Sequence, residues 1–210
     1  WFFGIHGTNI TDSVYTPILL TLSAQNQEAV AAGLPAPNII CSQFQSLFAT
    51  IGGGGCTLSL LIAALLFCKS ERILALARLS IGPAVFNINE PVIFGLPIVL
   101  NPVLFVPFIL CPFVYIVTTY LVMAAGIVPV PNGVLVPWTT PAIFSGFLVS
   151  GWQGAVWQAV LIVIGVLIYL PFIKTLDAQY LAEQNAVPAD GKAADELDAI
   201  DLDAIDLDSL

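Results

Sequence analysis

Apolar and polar residues fall in long blocks along this chain. Three blocks, Ile51–Cys68, 102–125 and Trp152–Ile173, are apolar and free of charge. Each reaches the ~18 or more residues that mark a helix able to cross a ~30 Å hydrocarbon core, so three spans are predicted. Two further apolar stretches, 80–98 and 129–147, are interrupted by proline. Nine of the fifteen prolines lie between Pro91 and Pro141. Proline removes a backbone donor and restricts its preceding residue, and such broken apolar segments mark re-entrant structure in transporters. Both stretches are therefore predicted as re-entrant hairpins. Residues 1–37 are too polar for a lipid-facing span and too apolar for an ordinary loop. They are expected to hold the end of one span and a re-entrant or interfacial segment. The run Gly52–Gly55 lacks the Gly-Lys-Ser/Thr ending of a phosphate loop, which leaves close helix packing or a helix break. The predicted fold is an all-α integral membrane protein, with transmembrane helices and two re-entrant hairpins over 1–176. Residues 177–210 are expected to be an acidic, disordered cytoplasmic tail.

Composition supports this division. Of 210 residues, 58% are hydrophobic and 9% charged, against about 25% charged in a soluble domain. Mean hydropathy is +0.95. The net charge of −9 belongs to the tail. Residues 1–176 carry four acids (Asp12, Glu28, Glu71, Glu90) and four bases (Lys69, Arg72, Arg78, Lys174), and 177–210 carry ten acids and one base. Acidic, aromatic-poor sequence of that kind reads as solvated. No basic stripe suggests nucleic acid. Lys69, Arg72 and Arg78 follow the first predicted span and Lys174 the last, which puts both ends in the cytoplasm by the positive-inside rule. Cys41, Cys56, Cys68 and Cys111 have no C-x-x-C spacing and read as small buried apolar residues, not as a metal or redox site. The chain begins at Trp1, without a basic n-region, and is expected to be part of a longer protein.

The candidate chemistry centres on Glu90. From Leu79 to Ile173 it is the sole ionisable Asp, Glu, Lys, Arg or His. A carboxylate at bilayer depth costs about 2.5–3.5 kcal/mol on insertion scales, so an intramembrane acid is a functional candidate. Asn87 and Asn89 add amides that both donate and accept, which makes F-N-I-N-E-P the floor of a polar pocket. Trp138, between Pro137 and Pro141, is either a lipid-interface tryptophan or an aromatic platform for a sugar ring. His6, the one histidine, is equally readable as a site residue or as an interface histidine bonded to backbone. An ion-coupled secondary sugar transporter with Glu90 as proton relay fits these residues. A membrane scaffold leaves Glu90 unexplained.

W-F-F-G-I-H-G at 1–7, I-N-E-P-V-I-F-G-L-P at 88–97 and P-W-T-T-P at 137–141 together resemble the membrane-spanning IIC permease component of the bacterial phosphoenolpyruvate-dependent sugar phosphotransferase system. The likeness is to its lactose/cellobiose/diacetylchitobiose branch and covers residues 1 to about 180, the C-terminal part of such a permease. It implies a multi-pass protein of the bacterial inner membrane, homodimeric in full length and embedded in lipid. It implies that a β-linked disaccharide, cellobiose-like, is bound and carried in for phosphorylation by a phosphorylated IIB partner. His6 and Glu90 carry over as sugar contacts, with Asn89, Trp1 and Trp138 beside them. No cofactor, metal or catalytic residue is implied, and the phosphoryl chemistry belongs to the partner. The N-terminal half, where the family places its dimer interface, is absent.

Overall fold

The computed structural model describes residues 7–96, 98 and 101–186, and all regular structure among them is helical. In chain order these are α1 (Gly7–Ala31), a π-helical turn (Phe44–Ala49), α2 (Thr57–Phe67), α3 (Glu71–Val85), α4 (Glu90–Gly95), α5 (Pro102–Ala124) and α6 (Phe144–Ala186). Pro102–Ala124 and Phe144–Gln184 are long and apolar enough to cross a membrane, with peak mean hydropathies of 2.1 and 2.4. Only 28% of each apolar window is buried, so these are not the core helices of a water-soluble protein. Phe113, Leu121, Trp152 and Leu167 present large apolar side chains outward. A water-facing surface would not carry such bands on successive helices.

The expected span at 51–68 is shorter than its composition suggests. Only Thr57–Phe67 is helical, about 16 Å at 1.5 Å per residue, roughly half a hydrocarbon core. The preceding glycines form a turn instead. Gly52, Gly53 and Gly55 have φ of 80°, 86° and 79°, a region that side chains resist. A Cβ on Gly52 would also lie 2.4 Å from the Leu58 amide nitrogen. Three more expectations change in outline. Residues 7–31 form one continuous helix, where the end of one span and a re-entrant or interfacial segment were expected. The stretch 129–137 has no regular structure, with Gly133 at φ of 81°. Residues 177–186, placed in the tail by their charge, continue α6. Residues 187–210 lie outside the described set.

The interior is a crossing of α2, α5 and α6, with α3 and α4 packed on one flank. Tyr115, Leu60, Leu61, Leu161 and Tyr169 are fully buried there. Gly165 permits the close approach: a Cβ on it would meet the Tyr115 hydroxyl at 2.3 Å and Ser59 Oγ at 2.5 Å. Those two hydroxyls are 2.9 Å apart, and Ser59 Oγ also donates to the Ile162 carbonyl. Small residues and interhelical hydroxyl bonds hold helices together where lipid removes the hydrophobic drive. The four cysteines are all buried and unpaired.

Near its start α6 breaks at Ser150 and Gly151, whose φ/ψ are −138°/18° and 68°/−164°. Fully buried Gln158 bridges the break. Its Oε1 accepts from the amides of Ile143 at 2.6 Å and Gly146 at 2.8 Å, and its Nε2 donates to the Leu47 carbonyl at 2.8 Å. One side chain thus ties both parts of α6 to the π-helical turn.

At the other end of α6, Asp177 is buried, and its carboxylate accepts from the amides of Lys69 and Ser70 at 2.8–3.1 Å, just before α3. A negative charge at a helix start also meets the positive end of the helix dipole. Arg72, in the first turn of α3, lies over the Tyr180 ring 4.5 Å from its centroid. Asp177→Ala would leave the buried Ser70 amide and the part-buried Lys69 amide without their acceptor, at a cost of about 1–3 kcal/mol. A lower melting temperature is expected for Asp177→Ala in purified full-length protein, with Asp177→Asn intermediate because it keeps one acceptor oxygen. Equal melts for all three proteins would show that this link contributes nothing.

Candidate functional site

The sequence gathers one polar cavity around the broken backbone. Its volume is about 320 Å³ and its lining comes from five segments. Asp12 comes from α1, and Gln45, Ser46 and Thr50 come from the π-helical turn and its exit. Gly53 and Gly54 come from the glycine turn, Asn87, Asn89 and Glu90 from the link between α3 and α4, and Trp138 from the proline-rich stretch before α6. The volume falls at the lower end of the roughly 300–1,000 Å³ of small-molecule sites.

Each wall has a local reason for its place. The link after α3 turns because Asn87 takes φ of 64°, a conformation asparagine tolerates better than other side-chain-bearing residues. Asn87 is buried and its amide is fully used. Oδ1 accepts from the Gly52 amide at 2.7 Å, and Nδ2 donates to the carbonyls of Trp138 and Thr140 at 2.5 and 3.2 Å. Asn89, also buried, donates to the Gly54 carbonyl at 2.9 Å. The approach is close enough that a Cβ on Gly53 would lie 2.7 Å from Asn89 Cγ and 2.8 Å from the Asn87 carbonyl oxygen. Glu90 then opens α4, with Pro91 in the first turn, where a missing amide hydrogen costs nothing. Its side chain is exposed on the cavity.

The stretch holding Trp138 is fixed from the other side. Its irregular backbone runs against α1, so close that a Cβ on Gly133 would meet the Ser23 carbonyl oxygen at 2.3 Å. Buried Asn26 donates to the carbonyls of Pro131 and Asn38, and buried Gln43 donates to the carbonyl of Val134. Trp138 itself is 57% exposed and lines the cavity with its indole available.

Of the five residues singled out from the sequence, Glu90, Asn89 and Trp138 meet at this cavity. His6 and Trp1 lie outside the described residues. Asp12, Gln45, Ser46 and Thr50 were not anticipated. Asp12 and Gln45 belong to a small network: the Tyr15 hydroxyl donates to the Asp12 carboxylate, and Gln45 Nε2 donates to the Tyr15 oxygen at 3.0 Å. The available signal was weak, because these polar residues stand in stretches that hold other polar residues too. Two carboxylates, amides, hydroxyls and an indole make a site suited to binding a polyhydroxylated ring. Among the described residues no three His, Cys, Asp or Glu side chains gather as a metal site.

Comparison with known proteins places this arrangement. The family model for "Phosphotransferase system, EIIC" matches residues 1–112. The lichenan permease IIC component of Bacillus subtilis is 44% identical over 187 residues, covering 88% of this chain and 41% of that protein. The cellobiose-specific EIIC component of Geobacillus stearothermophilus is 44% identical over 198 residues, covering 92% of this chain and 44% of that protein. The crystal structure of ChbC, the IIC component from an N,N'-diacetylchitobiose-specific phosphotransferase system, superposes with a TM-score of 0.86. It shares 46% identity, over 89% of this chain and 44% of that one. The chain thus spans less than half the length of the relatives it matches. With the motifs around Glu90 and Trp138 meeting at one cavity, these matches establish that the chain belongs to the EIIC family of the phosphotransferase system.

Proposed function

We propose that this chain is the substrate-binding part of a sugar permease of the phosphotransferase system. It binds a β-linked, cellobiose-like disaccharide in the cavity at Glu90 and carries it across the bacterial inner membrane for phosphorylation by a phosphorylated IIB partner. The observation that carries this reading is the meeting of Glu90, Asn89 and Trp138 from separate segments at one polar cavity. His6 and Trp1 complete the set on the resemblance of their motif. A carboxylate accepts sugar hydroxyls by charge-assisted bonds, stronger than neutral ones. An indole offers an apolar face to the C–H face of a pyranose. A site built around hydroxyls also rejects analogues that lack them, since its own polar groups are then left unpaired. Relatives named for cellobiose, lactose and galactose support a sugar as cargo. The relatives named EIICB support a IIB partner.

In this reading the stretches 80–98 and 129–147 are the re-entrant segments. Non-helical backbone at membrane depth must be buried in protein or line a wet cavity. Supporting this, Asn26, Gln43 and Asn87 bond the carbonyls of the second stretch. The full-length protein is a multi-pass homodimer with its C-terminal tail in the cytoplasm.

Glu90→Gln keeps shape, removes charge and turns one acceptor into a donor. A bond to a charged group is worth about 1.5–3 kcal/mol, so disaccharide affinity in the full-length protein should fall roughly 10- to 150-fold. The calorimetric titration is run beside a thermal melt. Unchanged affinity removes Glu90 from the site, and so does an unfolded variant. In uptake assays the sugar should accumulate as its phosphate and resist protonophores; free sugar that collapses with the proton gradient would instead make Glu90 a proton relay. Orientation is tested separately. Glu71→Cys and Ala182→Cys, at exposed positions in a cysteine-free background, should react with impermeant thiol reagents in inside-out vesicles and stay unreactive in whole cells. Labelling from outside would reverse the topology.

A further inference from the structure

We infer that Asn87 is a positioning residue for sugar binding: its buried amide sets the Trp138 indole at the proper distance from Glu90. The inference rests on the disaccharide-site reading above and adds to it a residue that need not touch the sugar.

Three observations carry it. First, the amide is fully used by three different backbone groups, the amide of Gly52 and the carbonyls of Trp138 and Thr140. These belong to the glycine turn and to the stretch carrying Trp138, both of which line the cavity. Second, Asn87 stands three residues before Glu90 in a turn fixed again by the Asn89 bond to Gly54. The carboxylate and the latch therefore share one short rigid link. Third, Trp138 lies in a stretch without helix. Its backbone is a local turn closed by the Thr140 amide on the Pro137 carbonyl at 2.9 Å, and the Asn87 bonds to its carbonyls tie that turn to the link. Two donated bonds reach this stretch within three residues of each other, at Trp138 and Thr140. They restrain both the position and the twist of the backbone from which the indole projects. A misplacement of about 1 Å in a binding group is enough to lose much of its contribution.

The bond runs to the Trp138 carbonyl, not to the indole. That separates a positioning role from a merely structural one. Trp138→Ala deletes the platform and leaves the hydrogen bond in place. Asn87→Gly deletes the bonds while keeping a residue that accepts φ of 64°. Asn87→Asp keeps size and replaces the donor with an acceptor facing two carbonyls.

The experiment is a double-mutant cycle in the full-length permease, read by disaccharide titration and thermal melt together. Asn87→Gly and Asn87→Asp should each weaken binding roughly 3- to 10-fold, the size of an aromatic contact. Trp138→Ala should weaken it at least as much. In the Trp138→Ala background, Asn87→Gly should cost less than about twofold more affinity, yet lower the melting temperature as much as it does alone. Full additivity in affinity would overturn the inference, because Asn87 would then act elsewhere. Unchanged affinity in both single variants would overturn it too. So would failure of both variants to fold, which would make Asn87 a folding residue. Failure of the sugar-site reading shows differently, as an unaltered affinity in Glu90→Gln whatever Asn87 does.

Discussion

Backbone that leaves the helix where water is scarce must find its hydrogen bonds in side chains, and the rest of this structure follows from that constraint. The chain breaks its helices at the glycine turn, at the link after α3, through 129–137 and at Ser150–Gly151. At each break a buried, uncharged amide supplies the missing partners. Asn26 and Gln43 serve the irregular stretch at 129–137, Asn87 and Asn89 the link and glycine turn, and Gln158 the start of α6. Primary amides suit the task because each carries donor and acceptor and no charge to desolvate. A charged side chain in the same places would exact a far larger burial cost.

The breaks matter because they release side chains that a continuous helix would pack away. Glu90 and Trp138 both stand next to irregular backbone, and both face the same cavity. The π-helical turn acts similarly. Its wider winding carries Gln45 and Ser46 to the cavity, and π-helical turns recur at functional sites. Rigid packing lies behind this polar front. Tyr169 of α6 donates to the carbonyl of Gly55, and the α2–α5–α6 crossing at Gly165 supports the glycine turn from below. The site is thus held on elements that pack, and its polar residues line the cavity in front of them.

Asp177 shows the same constraint applied to a charge. A carboxylate can be buried when it accepts several backbone bonds, and here three contacts to two amides join the end of α6 to the start of α3. The exposed bases Lys69, Arg72 and Lys174 lie in sequence close to that junction. The charged end of the molecule is thereby separated from the apolar crossing.

The sequence by itself determined the membrane character, the two long apolar helices and the identity of Glu90, Asn89 and Trp138 as site candidates. Each follows from a property a linear chain displays: hydropathy summed over a window, or one charge alone in 95 residues, from 79 to 173. The motifs also carried the family. The tertiary structure alone decided that Gly52–Gly55 turns the chain before α2 instead of lying in a span, since that depends on Leu58 occupying the space a Cβ would need. It alone set 129–137 as an irregular stretch against α1. It moved Asp177 from an acidic tail into the core, because two amides 107 and 108 residues away lie in reach. It found Asp12, Gln45, Ser46 and Thr50 at the cavity. Local sequence records what a residue can donate or accept, and only the packed chain brings the partner that it meets.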